Sequence, residues 1–238
     1  MPVHVPAGPA PDPAGLTRRL RSVREAIDRA TAAAGRPAGS VELLPVTKGQ
    51  PARVAAACRS AGLSRLGENY VQECRAKAEQ LAADGPPLHW HLLGHCQRNK
   101  ARQAAALFHE VETVDSVHLA RLLGEARPAG DPIPVLCEVE LTGLPGRTGF
   151  SPETLRRHLA ELLAVPGLAV RGLMTVAAPA DPGAFTRCRL LRDELAAGTG
   201  APLPVLSMGM SDDFEAAIAA GSTRVRIGRA LFGPRPSG

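Results

Sequence analysis

One stretch of eight residues reads Val41-Glu42-Leu43-Leu44-Pro45-Val46-Thr47-Lys48, and Gly49, Gln50 and Pro51 follow it at once. This pattern predicts a short buried strand that ends on a lysine, and then a helix that begins near Pro51. Burial disfavours the charged form of a lysine and lowers its pKa. The neutral amine is the nucleophile that forms a Schiff base with a carbonyl compound. Lys48 is therefore a candidate for covalent attachment. The alternative is a side chain that reaches from the strand end back to solvent.

The rest of the chain alternates between apolar runs of strand length and amphipathic segments of helix length. An opening helix is predicted over residues 16–34, where apolar residues recur at helical spacing among arginines. Seven further strands are predicted over residues 63–69, 88–93, 110–114, 133–141, 168–176, 205–208 and 224–227. Helices are predicted over residues 51–61, 70–82, 97–107, 151–165 and 183–197, with others beginning at residues 115 and 211 and a short tail from residue 230.

Eight strands that alternate with helices predict an α/β fold, a single (β/α)8 TIM-type barrel with an extra N-terminal helix. An open doubly wound sheet is the alternative, but no Gly-x-Gly-x-x-Gly follows the first strand. No linker divides the chain, so residues 15–238 are expected to form one domain. Residues 1–14 are rich in Pro and Ala and are expected to be a disordered leader.

The composition argues against several classes of protein. The net charge is +5, but the basic residues are dispersed and aromatic residues make up only 3% of the chain, so nucleic acid is not expected as a partner. No apolar run approaches the roughly 18–20 residues of a membrane span. The five cysteines are widely spaced, without a Cys-x-x-Cys pair, which is typical of reduced thiols in a cytoplasmic protein.

Two loops near the end of the chain carry groups that suit an anion. Ser207-Met208-Gly209-Met210-Ser211 ends the seventh strand, and Arg226-Ile227-Gly228-Arg229-Ala230 ends the eighth. Loops after the seventh and eighth strands of such barrels commonly bind phosphate. Glycines allow close backbone approach, hydroxyls donate, and a helix N-terminus favours an anion. The alternatives are a plain helix cap for the first loop and a solvated arginine pair for the second.

A closed barrel makes the eighth strand a neighbour of the first, so this phosphate site would lie beside Lys48. A phosphate ester that carries an aldehyde could then meet the lysine amine, as pyridoxal 5′-phosphate requires. Arg226 would face either the ring nitrogen or the phosphate of this cofactor. A cation at the ring nitrogen disfavours its protonation, which would weaken the electron sink that carbanion chemistry uses.

Several motifs in the expected order, between about residues 41 and 233, resemble those of the pyridoxal phosphate homeostasis proteins. They are Val46-Thr47-Lys48, Gly67-Glu68-Asn69-Tyr70-Val71-Gln72-Glu73, Trp90-His91-Leu92-Leu93-Gly94 with Gln97 and Asn99-Lys100, Arg171-Gly172-Leu173-Met174, Ser207-Met208-Gly209-Met210-Ser211-Asp212-Asp213, and Arg226-Ile227-Gly228 with Phe232-Gly233. The resemblance implies a barrel like the N-terminal domain of alanine racemase. It also implies these cofactor-binding residues: Lys48 as the Schiff base, Asn69 near the ring, Ser207, Ser211 and the Gly228–Arg229 backbone near the phosphate, and Arg226 by the pyridine nitrogen.

Five residues at three places in the chain depart from the family pattern. Arg147 stands where the family more usually has lysine, Leu144-Pro145 stands where polar residues are common, and His95-Cys96 is an unusual pair after Gly94. These departures concern loops at the mouth of the barrel rather than the cofactor itself.

The function expected is reversible holding and delivery of pyridoxal phosphate, with little or no turnover and no catalytic residue assigned. A racemase of this barrel type takes a second acid or base from a C-terminal domain, and the sequence ends soon after the eighth strand. An amino-acid racemase and a Schiff-base aldolase are the alternatives. Apoenzymes that use pyridoxal phosphate are expected as transient clients, and the protein is expected to be a monomer or a weak homodimer.

Some polar residues allow a site or a purely structural interpretation. His89 and His91 share a strand face and His95 lies nearby, but no further ligand falls at a recognisable spacing, so no metal is expected. Glu68, Asn69 and Tyr70 are interpreted as polar groups at the mouth, with a simple helix start as the alternative. Trp90 is expected in the core.

Overall fold

The computed structural model describes residues 13–179, 181 and 183–233. Eight parallel strands form one sheet in the order β1-β8-β7-β6-β5-β4-β3-β2. The strands are β1 Glu42–Pro45, β2 Arg65–Glu68, β3 His89–Leu92, β4 Glu110–Val114, β5 Ile133–Glu138, β6 Leu168–Met174, β7 Val205–Ser207 and β8 Arg224–Ile227. An isolated parallel bridge between Val46 and Gly67 joins the two ends of the sheet, and the Thr47 N–H donates to the Gly67 carbonyl at 2.9 Å. The predicted barrel is confirmed, and the open-sheet alternative is wrong.

Helices separate the strands and cover the outside of the barrel. They are α1 Pro13–Ala33, α2 Ala52–Ser60, α3 Val71–Leu81, α4 Ala101–Leu107, α5 Val117–Glu125, α6 Pro152–Leu163, α7 Gly183–Thr199, α8 Phe214–Ala219 and α9 Arg229–Phe232, with one turn of 3₁₀ helix at Arg98–Lys100. Among the described residues, no helix has both the length and the apolar character that a membrane span would need.

The predicted extra N-terminal helix is present as α1. Its apolar stripe, which consists of Leu16, Leu20, Val23 and Ile27, is buried, and the helix contacts α8 and α9. Because α1 begins at Pro13, the last two residues of the predicted leader are helical. Residues 1–12 of that leader lie outside the described residues.

Several predicted boundaries are wrong at the carboxyl ends of strands. The fifth, sixth and seventh strands end at Glu138, Met174 and Ser207, which is one to three residues before the predicted ends. Apolar residues continue past each end because they pack in loops: Val139, for example, is buried but bridges Phe150 rather than continuing the ladder. The helix predicted from Ser211 begins at Phe214, and the predicted tail contains α9.

Candidate functional site

A cavity of about 710 Å³ opens at the carboxyl ends of the strands. Six of the seven residues predicted from the sequence line it: Lys48, Asn69, Ser211, Arg226, Gly228 and Arg229. These residues follow or end β1, β2, β7 and β8, so the chain brings them together only by closing the barrel. The exception is Ser207, which is fully buried beneath the cavity.

Lys48 lies in a tight turn directly after β1. The Gln50 N–H donates to the Thr47 carbonyl at 3.0 Å, which closes the turn around Lys48 and Gly49. Gly49 has a φ of 69°, a left-handed conformation that side chains with a Cβ rarely adopt. The half-buried side chain of Lys48 therefore starts from a fixed turn and lines the cavity.

A second lysine is buried behind this turn. The ammonium of Lys77 donates to the Thr47 carbonyl at 2.7 Å, to Glu68 Oε1 at 2.6 Å and to Glu73 Oε1 at 2.7 Å. Burial raises the pKa of Glu68 to about 7, although the charge of Lys77 acts to lower it. Glu68 therefore belongs to this buried network and does not lie at the mouth of the barrel, and the Tyr70 side chain is 64% exposed. Of the three residues interpreted as polar groups at the mouth, only Asn69 lines the cavity.

The loops after β7 and β8 meet on the side of the cavity next to β1. The Ser211 hydroxyl accepts a hydrogen bond from the Ala230 N–H at 3.2 Å. Gly228 precedes α9, and the Arg229 side chain pairs with Asp212 at the exposed rim. This corner offers a hydroxyl, backbone N–H groups and a guanidinium, which is a donor set that suits a phosphate.

Arg226 lies at the floor of the cavity and is only 5% exposed. Its guanidinium donates to the carbonyl and the hydroxyl of Ser207 at 2.5 and 2.9 Å and to the Thr175 carbonyl at 2.8 Å. Burial lowers the pKa of Arg226, and the Glu112 carboxylate opposes this effect. The interpretation of Arg226 and Arg229 as a solvated pair is therefore wrong for Arg226.

Ser207 connects Arg226 to a carboxylate deeper in the barrel. Its hydroxyl donates to Glu112 Oε2 at 2.5 Å while it accepts from Arg226. Glu112 also accepts from Arg224, and its Oε1 lies 3.1 Å from His91 Nδ1. Burial alone would raise the pKa of Glu112, but His91 and the charge of Arg224 lower it to about 2. A direct contact of Ser207 with phosphate stays a prediction.

Asn69 carries a buried polar atom at the cavity wall. Its Oδ1 is buried and has no hydrogen-bond partner among the described residues. Buried acceptors are rarely left without a partner, because each one costs free energy. A ligand with a donor group in the cavity would satisfy this oxygen.

Further residues of the cavity were not predicted as ligands, among them Gln50, Glu138 and Thr148. Thr148 donates to both carboxylate oxygens of Glu138 at 3.1 and 3.2 Å, and burial raises the pKa of Glu138. Of the positions that depart from the family pattern, Arg147 and His95 line the cavity.

The histidines considered for a metal site do not converge. His95 pairs with Asp115 at 3.1 Å, and His89 stacks on His109 with ring centroids 4.3 Å apart. His91 instead meets Glu110 and Glu112, and its ligand atoms lie within 4.8 Å of theirs. Arg224 already occupies the place of a cation there, because its Nη1 donates to both carboxylates at 2.7 and 2.8 Å.

Known proteins share both the sequence family and the fold of this chain. The family model of the alanine racemase N-terminal domain matches residues 19–236. A protein of Pseudomonas aeruginosa named pyridoxal phosphate homeostasis protein is 42% identical over 229 residues, which cover 94% of this chain and 97% of that protein. The chain belongs to the pyridoxal phosphate homeostasis protein family.

Solved structures agree with this family. The structure of PipY of Synechococcus elongatus with PLP bound is 36% identical, with a TM-score of 0.80, and the match covers 92% of this chain and all of PipY. Alanine racemase of Corynebacterium glutamicum has a TM-score of 0.71 at 21% identity, with 95% of this chain and 62% of the racemase covered. This second likeness shows the barrel fold alone.

Sequence reasoning missed three residues around the site. Glu73 and Lys77 flank the Lys48 turn, and Glu112 lies beneath Ser207. One signal was available: a glutamate and a lysine four residues apart on the helix after Asn69 can form an ion pair. The position of Glu112 inside the barrel carries no such local signal.

Proposed function

We propose that the chain binds pyridoxal 5′-phosphate in this cavity as a Schiff base with Lys48 and serves intracellular pyridoxal phosphate homeostasis, with little or no turnover. One observation carries the proposal: Lys48 lines the same cavity as Ser211 and Arg226, across the junction of β8 and β1. An amine for an aldehyde and donors for a phosphate thus share one space. The PLP-bound structure of PipY supports the choice of ligand.

Different residues of the cavity would contact different parts of pyridoxal phosphate. Lys48 would hold the aldehyde carbon, and Ser211 with the backbone of Gly228 and Arg229 would hold the phosphate. Arg226 and Asn69 would face the ring, where Asn69 Oδ1 would gain a hydrogen-bond partner. When bound, pyridoxal phosphate supplies an electrophilic aldehyde conjugated to an aromatic ring.

The experiment is a spectroscopic titration of the purified protein with pyridoxal phosphate, followed by borohydride reduction and peptide mass analysis. We expect a visible absorbance band and a reduced adduct on Lys48. Lys48→Ala should abolish both, whereas Lys100→Ala should keep both. A protein that takes up no pyridoxal phosphate would refute the proposal.

Turnover is measured on the same preparation. A loaded protein that does not interconvert L- and D-alanine supports a carrier, and rapid racemisation would overturn that part of the proposal. A colourless protein that borohydride couples to dihydroxyacetone phosphate would instead support the aldolase alternative.

We further infer a cytoplasmic protein, monomeric or weakly dimeric, that passes its ligand to apoenzymes as transient clients. All five cysteines are buried and free, which fits a reducing compartment. Sedimentation tests the oligomeric state. Handover to an apoenzyme faster than spontaneous release into buffer would support the delivery role, and equal rates would refute it.

A further inference from the structure

The lysine behind the Lys48 turn, Lys77, has a protein acceptor for each of its N–H donors. The side chain of Lys77 is 5% exposed, and its ammonium has three acceptors within 2.7 Å: the Thr47 carbonyl, Glu68 and Glu73. An ammonium has three N–H donors, so each of them can be used. All three N–H groups of Lys77 are therefore directed at protein acceptors, which leaves none of them to contact a ligand.

The contacts of Lys77 and Glu73 reach both neighbours of Lys48 in the chain. On one side, the Thr47 carbonyl accepts from Lys77. On the other side, the Gly49 N–H donates to Glu73 Oε1 at 2.6 Å. Glu73 and Lys77 are paired with each other across one turn of α3, at 2.7 Å. The ion pair between Glu73 and Lys77 on α3 is therefore hydrogen-bonded to the backbone on both sides of Lys48.

We propose that Glu73 and Lys77 are positioning residues that hold the Lys48 turn in the geometry in which the amine reaches the cofactor aldehyde. This inference rests on the proposed attachment of pyridoxal phosphate to Lys48. Hydrogen bonds that involve a charged partner are stronger than neutral ones, and here they restrain a turn at the rim of the barrel. Small displacements of a reacting group reduce the rate of bond formation strongly, so the restraint bears on attachment itself.

The hydrogen bonds of Lys77 also bear on which lysine reacts with the aldehyde of pyridoxal phosphate. The chain has three lysines, Lys48, Lys77 and Lys100. Lys77 lies directly behind the turn, but its three hydrogen bonds keep it out of the chemistry, and Lys100 is on the 3₁₀ turn before α4. Loss of Glu73 would both loosen the Lys48 turn and remove one of the acceptors that hold Lys77.

The test compares Glu73→Ala with Glu73→Gln, and uses Lys100→Ala as a lysine control outside the network. In protein without ligand, the exchange rate of the Gly49 amide is measured by NMR. With pyridoxal phosphate, the dissociation constant and the attachment rate are measured from absorbance. Thermal unfolding is followed for every variant.

In Glu73→Ala, we expect the Gly49 amide to exchange about tenfold faster than in the wild type. We also expect the affinity of this variant for pyridoxal phosphate to fall about tenfold, which corresponds to about 1.4 kcal/mol of binding free energy. Glu73→Gln keeps an oxygen that can accept from Gly49 and Lys77, so it should restore most of both values. Lys100→Ala should behave as the wild type. A purely structural role would lower the melting temperature without moving affinity or attachment rate.

Wild-type affinity and attachment rate in Glu73→Ala, together with fast exchange at Gly49, would overturn the inference. If the wild type itself takes up no pyridoxal phosphate, the proposed function fails, while exchange at Gly49 still reports whether Glu73 restrains the turn. Lys77→Met is the complementary variant. It should reproduce the loss of affinity, and an unchanged affinity in a folded Lys77→Met protein would also count against the inference.

Discussion

Replacement of Glu112 by glutamine tests the charge network inside the barrel. The Glu112 carboxylate is fully buried and accepts hydrogen bonds from Arg224 and Ser207. The Nδ1 atom of His91 lies within hydrogen-bond distance of the same carboxylate. Glutamine has nearly the same shape but carries no charge, so it leaves Arg224 with less compensation. Arg224 depends on this partner: although burial alone would lower the pKa of Arg224, the charges of Glu112 and Glu110 raise it.

The magnitude follows from the pKa of Glu112, which is lowered from 4.5 to about 2. Each unit of pKa difference between folded and unfolded states corresponds to about 1.4 kcal/mol, so ionised Glu112 contributes about 3 kcal/mol at pH 7. Because the folded pKa is the lower one, this contribution is present above pH 4.5 and is lost as the pH falls toward 2. At pH 3 about 1 kcal/mol of it should be left.

Urea unfolding of the wild type and Glu112→Gln at pH 7 and pH 3 measures this difference. We expect the variant to be less stable by about 3 kcal/mol at pH 7 and by about 1 kcal/mol at pH 3. Other carboxylates titrate in both proteins, so the difference between the two cancels their effect. Glu125→Gln, at an exposed position on α5, should cost less than about 0.5 kcal/mol at either pH. An equal loss at both pH values would show that Glu112 acts through packing, not through charge.

Three further changes probe the cavity and its surroundings. Arg226→Ala should weaken retention of pyridoxal phosphate on dialysis by at least about tenfold, and Arg229→Ala, whose side chain is exposed at the rim, by less than about threefold; equal losses would contradict the placement of Arg226 at the floor. Gly49→Ala should lower the free energy of unfolding in urea by about 1 kcal/mol, because a φ of 69° is unfavourable for a residue with a Cβ; no loss would mean that the turn relaxes without cost. Lys77→Met should cost about 3–5 kcal/mol at pH 8, since it leaves buried Glu68 without its cation, and less at pH 5, because the raised pKa of Glu68, about 7, keeps this group protonated there. A loss of stability for Lys77→Met that does not change with pH would contradict this explanation. In the wild type, the raised pKa of Glu68 adds stability below pH 4.5, and this stability is lost as the pH rises through 7.

The order of elements could be predicted because each strand carries its own local signal. Apolar runs alternate with amphipathic helices along the whole chain, and the predicted limits of β4 and β8 match the structure. The position of Lys48 beside the loops after β7 and β8 followed from barrel closure, since β8 pairs with β1. The strand ends could not be predicted as well, because residues such as Val139 are buried whether or not they belong to the sheet.

The polar interior of the barrel could not be predicted because a charged residue in a strand normally indicates a solvent-facing position. Arg224 and Arg226 alternate with Val225, and both are buried. Their compensation comes from Glu110 and Glu112 on β4 and from Ser207 on β7, far away along the sequence. β7 is the direct neighbour of β8 in the sheet, but only the closed barrel brings β4 to face β8, so no local pattern could identify the carboxylates.

Two buried networks lie next to residues that line the cavity, and they compensate charge in different ways. The ammonium of Lys77 bonds directly to two carboxylates, as Arg224 does, so the charges of both are compensated at contact distance. Arg226 bonds only to neutral groups among the partners described, and its carboxylate, Glu112, lies beyond the hydroxyl of Ser207. A charge compensated at a distance exerts a stronger field on its surroundings than one paired in contact, and a low dielectric strengthens that field. The cation behind Lys48 is therefore paired in contact with carboxylates, whereas the guanidinium of Arg226 keeps a stronger field at the cavity floor, which favours an anionic ligand.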